Sequence, residues 1–181
     1  MGTPTKTPFL TDVTELRRRA REHMERGAVT AGYAGDVDQA VALLNTALAT
    51  EIVCVLRYQY HAIMATGIHS EPAKREFAEH AADEQEHATR LAERISQLGG
   101  KPDMNPEGLL SRSHSEYANG DTLLEMLREN LVAERIAIDS YREMIQWFAP
   151  HDPTTRKLLE EILEKEEEHA DDMHGLLQGR G

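Results

Sequence analysis

The sequence predicts an all-α protein whose core is a four-helix bundle. Apolar residues recur three and four positions apart through most of the 181 residues, as they do along one face of an α-helix. Alternating runs of β-branched residues, which are typical of strands, are almost absent. Glycines and prolines divide the periodic pattern into four long segments after a shorter one, so we expect four bundle helices and an extra N-terminal helix.

Residues 1–35 are predicted to form an N-terminal extension with a short helix, and residues 36–181 to form the bundle. The extension begins with a Pro/Thr-rich stretch and continues as a basic amphipathic helix from Asp12 or Thr14 to about Gly27. We expect this helix to pack outside the bundle. Acidic residues lie among its arginines, so contact with another subunit is favoured over contact with DNA.

The four bundle helices are predicted from their capping residues and from the breakers between them. Their predicted limits are about 36–66, 70–99, 119–148 and 154–178. Residues 101–119 contain two prolines and little periodicity, and a connection of this length is unusual in a compact domain unless it crosses the bundle. We therefore expect two helical hairpins joined by one long crossover.

The composition restricts the class of function. A net charge of −12 disfavours a general nucleic-acid-binding surface and makes cations the favoured ligands. The single cysteine, Cys54, cannot form an internal disulfide, which fits a reducing cytoplasm. The first ten residues lack the apolar core of a signal peptide, and no run of 18 or more apolar residues occurs, so we expect neither secretion nor membrane insertion.

Each predicted bundle helix places a glutamate among its inward-facing apolar residues. The four residues are Glu51, Glu84, Glu134 and Glu166. Burying four carboxylates in one bundle would be prohibitively costly unless positive charge neutralised them. The same predicted faces offer no lysine or arginine at these positions, so metal ions are the simplest source of that charge.

Two of these glutamates belong to Glu-x-x-His elements, Glu84 to His87 and Glu166 to His169. Residues three apart are neighbours on a helix, so each element can offer an oxygen and an imidazole nitrogen to one ion. Four carboxylates and two imidazoles, with no thiolate, fit two hard or borderline divalent ions with open positions for an oxidant.

The two halves of the chain repeat the same arrangement, in which a glutamate is followed by a Glu-x-x-His element at a similar spacing. Glu51 precedes the first Glu-x-x-His element by 33 residues, and Glu134 precedes the second by 32. Tyr58 and Tyr141 each follow the upstream glutamate of their half by two helical turns on the same face. The repeat predicts a site with approximate twofold symmetry.

Over about residues 38–178 the sequence resembles bacterioferritin and the wider ferritin-like superfamily. The resemblance is carried by the segments Leu43 to Glu51, Arg57 to Ala62, Asp83 to Ala88, Arg94 to Gly100, Leu131 to Glu134 and Ile162 to His169. It implies a ferritin-like four-helix bundle and an intrasubunit site for two iron ions, with manganese as an alternative metal.

The resemblance also implies a role for each residue of the site. Glu51 and Glu134 would be terminal ligands, Glu84 and Glu166 would bridge the two ions, and His87 and His169 would each bind one ion. Tyr58 and Tyr141 would orient the carboxylates and could supply an electron. His61 and His80 lie near the same depth, and we expect both to be core or surface histidines rather than ligands.

Two departures from the family pattern refine the expected function. Gln85 stands where bacterioferritin has its haem-binding methionine, so haem is not expected. The short fifth helix of 24-subunit ferritins is not expected either, which favours a Dps-like 12-mer over a 24-mer. We therefore expect a cage-forming ferroxidase that oxidises Fe²⁺ with O₂ or H₂O₂ and takes part in iron storage or detoxification.

Two alternative functions remain open on the sequence alone. A di-manganese catalase-like or rubrerythrin-like peroxidase would use the same set of ligands. A non-catalytic, DNA-protecting Dps-like shell protein would not use them for chemistry. The residues do not decide between O₂ and H₂O₂ as the oxidant.

Overall fold

The computed structural model describes residues 12–68 and 70–179, and in this part of the chain it contains six α-helices and no β-strand. The helices are α1 (Val13–Arg19), α2 (Val37–Met64), α3 (Ser70–Gln97), α4 (Leu109–Arg112), α5 (Leu123–Phe148) and α6 (Pro153–Leu177). A 3₁₀ turn, Met24–Arg26, lies between α1 and α2. Residues 1–11 of the predicted extension fall outside the described residues.

The long helices α2, α3, α5 and α6 form the four-helix bundle. α2 packs along α3 and α5 packs along α6, which gives two helical hairpins, and smaller contacts between α2 and α5 and between α3 and α6 close the bundle. The segment between α3 and α5 connects the two hairpins. The predicted fold class, with its one long crossover and its additional N-terminal helix, is therefore confirmed.

Capping residues set the starts of the bundle helices. Asp36 begins α2 by accepting a hydrogen bond from the backbone nitrogen of Gln39, at 3.1 Å. α5 begins at a capping box in which Thr122 and Glu125 each accept from the other's backbone N–H group. This capping box places the start of α5 at Leu123, later than the predicted start at residues 119–121.

The N-terminal helix is shorter than predicted. α1 ends at Arg19 rather than near Gly27, and the chain then turns through the 3₁₀ segment. No residue of α1 is buried, so this helix lies outside the bundle core, as expected. Its Arg18 pairs with Glu15 on the same helix, with 2.8 Å between the guanidinium and the carboxylate.

The crossover contains a short helix that the sequence pattern did not predict. The single turn α4 packs against α2, where Leu109 forms a small apolar cluster with Ala49 and Val53. A turn of four residues carries too little periodicity to be recognised in a sequence.

A buried polar network holds the rest of the crossover against α2 and α5. Arg57, 1% exposed, donates hydrogen bonds to the side chains of Ser115 and Asn130, each at 2.8 Å. His61 bonds the backbone oxygen of Asn119 at 2.7 Å, and its other ring nitrogen lies 2.9 Å from the Asn130 amide nitrogen. His61 is thus a core histidine with satisfied ring nitrogens, as expected.

Besides the small cluster around Leu109, two larger apolar clusters lie at different levels of the bundle. One cluster includes Leu48, Ala88 and Ile162, and the other includes Tyr58 and Met173. Along each of the four helices, the glutamate singled out above lies between residues of the two clusters. The carboxylates are therefore enclosed by apolar side chains on both sides along the bundle.

Helix α2 is also long and apolar enough to cross a membrane when only length and composition are considered. Over 18 of its residues the mean hydropathy is 1.7, although 56% of that window is buried inside the fold. The sequence prediction did not identify this helix as a candidate span. A buried core helix passes the same test, so length and composition alone do not place α2 in a membrane.

Asp152 links the start of α6 to α3. Its carboxylate is 2% exposed, accepts from the backbone nitrogen of Thr155 at 2.9 Å, and accepts from Arg94 at 3.1 Å on each oxygen. Burial alone would raise the pKa of Asp152, but the hydrogen bonds from Thr155 and Arg94 lower it below its ordinary value.

Replacing Asp152 by alanine should destabilise the fold by about 3 kcal/mol, because it removes a helix cap and leaves the mostly buried Arg94 without its carboxylate. Asp36→Ala is the matched control, since it removes an exposed cap alone and should cost about 1 kcal/mol. Chemical denaturation of both variants at neutral pH measures the difference.

The stabilisation by Asp152 should also depend on pH. Because the pKa of Asp152 is lowered, its contribution to the free energy of unfolding should be complete above the ordinary value of 3.8 and should disappear as the pH falls through the lowered pKa. Equal losses in the two variants would contradict the role given to Arg94.

Candidate metal centre

The four glutamates predicted to be metal ligands meet in the middle of the bundle, one from each long helix. Glu51 and Glu166 are 1% exposed, and Glu84 and Glu134 are 0% exposed. Carboxylates are almost never buried to this extent unless they are paired. The structure buries all four side chains, as their positions among apolar residues predicted.

Both predicted histidines lie against these carboxylates. The Nδ1 atom of His87 is 3.0 Å from a Glu166 oxygen, 3.1 Å from a Glu84 oxygen and 3.4 Å from a Glu51 oxygen. The Nδ1 atom of His169 is 3.6 Å from a Glu84 oxygen. Each imidazole therefore presents the same nitrogen to the carboxylate cluster.

The six residues form two overlapping groups of four. Glu51 and His87 form one group with Glu84 and Glu166, and Glu134 and His169 form the second group with the same two glutamates. Within each group, one potential ligand atom from every residue lies within 4.8 Å of the others. Two groups that share two carboxylates match the geometry of a pair of ions with bridging carboxylates.

Buried atoms without hydrogen-bond partners show that the cluster suits cations. Each of the four glutamates has one buried oxygen that accepts no hydrogen bond, and His169 Nδ1 is also unpartnered. Buried polar groups in native proteins are nearly always satisfied, so five such atoms in one place need an explanation. Oxygen and imidazole donors without thiolate fit divalent iron or manganese.

The two tyrosines hydrogen-bond across the bundle. The hydroxyl of Tyr58 donates to Glu134, and the hydroxyl of Tyr141 donates to Glu51. Each tyrosine thus orients the upstream glutamate of the other half of the chain, whereas the sequence repeat placed it beside the glutamate of its own half. Both hydroxyls leave the second oxygen of their glutamate free to face the centre.

The electrostatics of the cluster favour positive charge. Burial and the Glu84 carboxylate raise the pKa of Glu51 to about 8. Burial alone would lower the pKa of His87, but its close contacts with the Glu51 and Glu84 carboxylates raise it to about 10. Burial likewise opposes protonation of His169, and its contact with Glu84 raises its pKa to about 9. Imidazoles that are held protonated by carboxylates mark a place where a metal cation would be favoured.

The sequence did not reveal a carboxylate behind His169. Asp83 lies 3.2 Å from the Nε2 atom of His169, on the side of the ring away from the cluster. Metal-binding histidines commonly direct their second nitrogen at such a group, which fixes the ring orientation. Asp83 and His169 lie on different helices, so no local spacing indicates the pair, and Lys165 occupies the equivalent position in the other half of the chain.

His80 was expected to be a core or surface histidine, and the structure places it in direct contact with residues of the centre. Its side chain is 3% exposed, and its ring stacks on His169 with 3.9 Å between the ring centroids. Its Nδ1 atom lies 3.2 Å from the hydroxyl oxygen of Tyr58. His80 itself is in neither group of four around the buried carboxylates.

A helical bundle with one long crossover and a buried cluster of glutamates and histidines is the architecture of the ferritin-like proteins. The sequence matches the family description "Ferritin-like domain" over residues 41–180. The chain therefore belongs to the ferritin-like family, as the resemblance predicted.

Individual relatives agree with this assignment. The chain is 30% identical over 165 residues to the DNA protection during starvation protein of Pyrococcus furiosus, covering 88% of this chain and 86% of that protein. A dodecameric thioferritin of Bacteroides fragilis, described as bacterioferritin-related, is 31% identical, with a TM-score of 0.77 over 80% of this chain and 87% of that one.

Two further solved structures have the same fold. A ferritin-like, di-iron-carboxylate protein of Bacillus anthracis is 28% identical, with a TM-score of 0.70 over 80% of this chain and 99% of that one. Dps from Thermosynechococcus elongatus has a TM-score of 0.75 over 77% of this chain and 90% of that one, and at 20% identity this likeness shows the fold alone.

Replacing Glu166 by glutamine should stabilise the metal-free protein by about 1–3 kcal/mol, because a neutral amide of the same shape avoids the cost of a buried carboxylate. Glu164→Gln is the matched control on the same helix, since Glu164 is exposed, and its effect should stay within about 0.5 kcal/mol. Thermal denaturation after treatment with a chelator measures both variants. A Glu166→Gln protein less stable than the control would contradict the unfavourable burial of this carboxylate.

Proposed function

We propose that the protein is a ferroxidase that oxidises Fe²⁺ at an intrasubunit centre for two iron ions and contributes to iron storage or detoxification. In this proposal six residues bind the two ions. They are Glu51, Glu84, His87, Glu134, Glu166 and His169. Two Fe²⁺ ions would supply two electrons, which with two protons reduce O₂ to H₂O₂ or reduce H₂O₂ to two water molecules.

The observation that carries the proposal is the set of unpartnered buried atoms. One oxygen from each of the four glutamates and one nitrogen of His169 lie in the same cluster without hydrogen bonds. Two ions would provide these atoms with ligands and would neutralise the carboxylates together. Membership of the ferritin-like family and the likeness to a di-iron-carboxylate protein support iron as the metal.

The surrounding residues would favour the oxidation of Fe²⁺ to the more highly charged Fe³⁺. Four carboxylates stabilise Fe³⁺ more than Fe²⁺, which favours loss of an electron from each ion. Tyr58 and Tyr141 hold Glu134 and Glu51 in fixed orientations, and Asp83 does the same for the ring of His169. The tyrosines are also placed to pass an electron to the centre.

The proposal includes a homo-oligomeric cage in the cytoplasm, with a 12-mer favoured over a 24-mer. The dodecameric assembly of the related thioferritin supports this choice. DNA is not among the proposed partners, because Arg18 and Arg19 of the basic helix already pair with Glu15. Haem is not part of the proposal either.

Changing Glu134 and Glu166 together to glutamine should reduce Fe²⁺ oxidation to about the rate in protein-free buffer, because each proposed ion loses charged ligands. The matched control changes Glu143 and Glu164, which are exposed on the same two helices. The absorbance of Fe³⁺, followed after adding O₂ or H₂O₂ in separate experiments to protein mixed anaerobically with Fe²⁺, measures the rate and identifies the better oxidant.

Two results would contradict this function and support one of the alternatives. If the double variant oxidised Fe²⁺ as fast as the control, the protein would not be a ferroxidase at this centre, and a non-catalytic shell protein would be favoured. If a manganese-loaded sample rapidly dismutated H₂O₂ while iron-loaded samples formed no mineral, a catalase-like or peroxidase function would be favoured.

The native mass should identify the assembly. Twelve chains of 20.4 kDa would give a particle of about 245 kDa, whereas a 24-mer would have about twice that mass. Native mass spectrometry of metal-free and iron-loaded samples distinguishes these two assemblies. A dimer of about 41 kDa in both samples would contradict storage in a cage without contradicting oxidation at the centre.

A further inference from the structure

Three side chains outside the buried centre form a separate group of potential metal ligands. Glu76 and His80 lie one turn apart on α3, and Asp172 lies on the facing part of α6. The Nε2 atom of His80 is 3.4 Å from an Asp172 oxygen and 3.8 Å from a Glu76 oxygen. One ligand atom from each residue lies within 4.8 Å of the others.

The two ring nitrogens of His80 have different partners, since Nδ1 faces the Tyr58 hydroxyl and Nε2 faces the carboxylates of Asp172 and Glu76. The Tyr58 hydroxyl donates its hydrogen to Glu134, so the Tyr58 oxygen is left to accept a hydrogen bond from His80 Nδ1. With that hydrogen on Nδ1, the neutral imidazole has a lone pair on Nε2 that can bind a metal ion, whereas an imidazolium would donate from Nε2 to Asp172 at 3.4 Å. This step rests on the proposed role of Glu134, which is an ionised carboxylate when it binds a metal ion.

In the neutral form of His80, the Nε2 lone pair faces two carboxylates, so three potential ligand atoms converge on one point. Burial and the neighbouring Asp172 raise the pKa of Glu76, in keeping with repulsion between the carboxylates. Among the described residues, no lysine or arginine forms an ion pair with Glu76 or Asp172. A divalent cation is the partner that could bind all three of these groups at once.

Access from solvent distinguishes this group from the buried centre. The side chains of Glu76 and Asp172 are 36% and 43% exposed, whereas that of His80 is 3% exposed. An ion held here would keep water in its remaining coordination positions. Two carboxylates and one imidazole suit a divalent first-row metal ion such as Fe²⁺, Mn²⁺ or Zn²⁺.

The corresponding position in the other half of the chain lacks such a group. His80 precedes Glu84 by four residues, and Ile162 precedes Glu166 by four residues. Ile162 is fully buried in the apolar core. Of these two corresponding positions, only the one on α3 carries a possible ligand, so the group is not a consequence of the twofold repeat.

We propose that Glu76, His80 and Asp172 form a third divalent-cation site at the protein surface, separate from the buried pair. Its innermost ligand, His80, contacts both His169 and Tyr58 of the centre. An ion bound here would lie one side chain away from the residues proposed to bind iron.

The test counts Zn²⁺ ions bound per chain, because Zn²⁺ is redox-inert and binding can be measured without oxidation. The variant changes Glu76 to glutamine and Asp172 to asparagine. The matched control changes two exposed residues on the same helices, Glu79 to glutamine and Asp171 to asparagine. Equilibrium dialysis of the whole oligomer, followed by elemental analysis, should find one fewer ion per chain in the variant than in the control.

A second variant, His80→Ala, should also lose one ion, and anomalous diffraction from zinc-soaked crystals of the unmodified protein should place that ion between the three side chains. Equal counts in variant and control would overturn the proposal, and they are the result expected if His80 is an imidazolium paired with the carboxylates.

The Glu134→Gln, Glu166→Gln protein separates this proposal from the proposed ferroxidase. It should lose the ions of the buried centre and keep the surface ion. If only the Glu76 and Asp172 variant lost an ion, the third site would stand while the buried pair failed, and the reverse result would overturn the third site alone.

Discussion

The burial of four carboxylates at one level of a helical bundle is the constraint on which the rest of this structure depends. Each glutamate lies between two apolar clusters, and one buried oxygen of each has no hydrogen-bond partner among the described residues. Tyr58 donates a hydrogen bond to one oxygen of Glu134 and Tyr141 to one oxygen of Glu51, and the second oxygen of each glutamate is left without a partner. A fold that retains such groups gives up stability that apolar residues would provide, which is typical of functional sites.

The proposed ligands follow the approximate twofold repeat of the chain, but the residues next to them differ between the two halves. Asp83 stands behind His169, while Lys165, at the equivalent position, pairs with Glu168 on the surface. His80 and Ile162 differ in the same way, since one is polar and the other is part of the core. The two groups of potential ligands therefore have different surroundings, and His80 connects the group that contains His169 to the carboxylates of Glu76 and Asp172 at the surface.

Membership of the ferritin-like family defines the fold and the kind of site more narrowly than it defines the reaction. The same arrangement of carboxylates and histidines can support oxidation of iron or decomposition of peroxide, because the ligands set the charge and the open positions rather than the substrate. Groups just outside the ligands, such as the tyrosines and His80, are where proteins with this centre can differ in function.

The sequence by itself determined the helical class, the two hairpins with their crossover, and the six residues that meet in the centre, because helical periodicity and Glu-x-x-His spacing are local properties of the chain. Only the tertiary structure decided which tyrosine serves which glutamate, that Asp83 supports His169, and that Arg57 anchors the crossover. These contacts join residues that are 58 to 90 positions apart. Their partners depend on how the helices are rotated and aligned against one another, which no spacing within a single helix specifies.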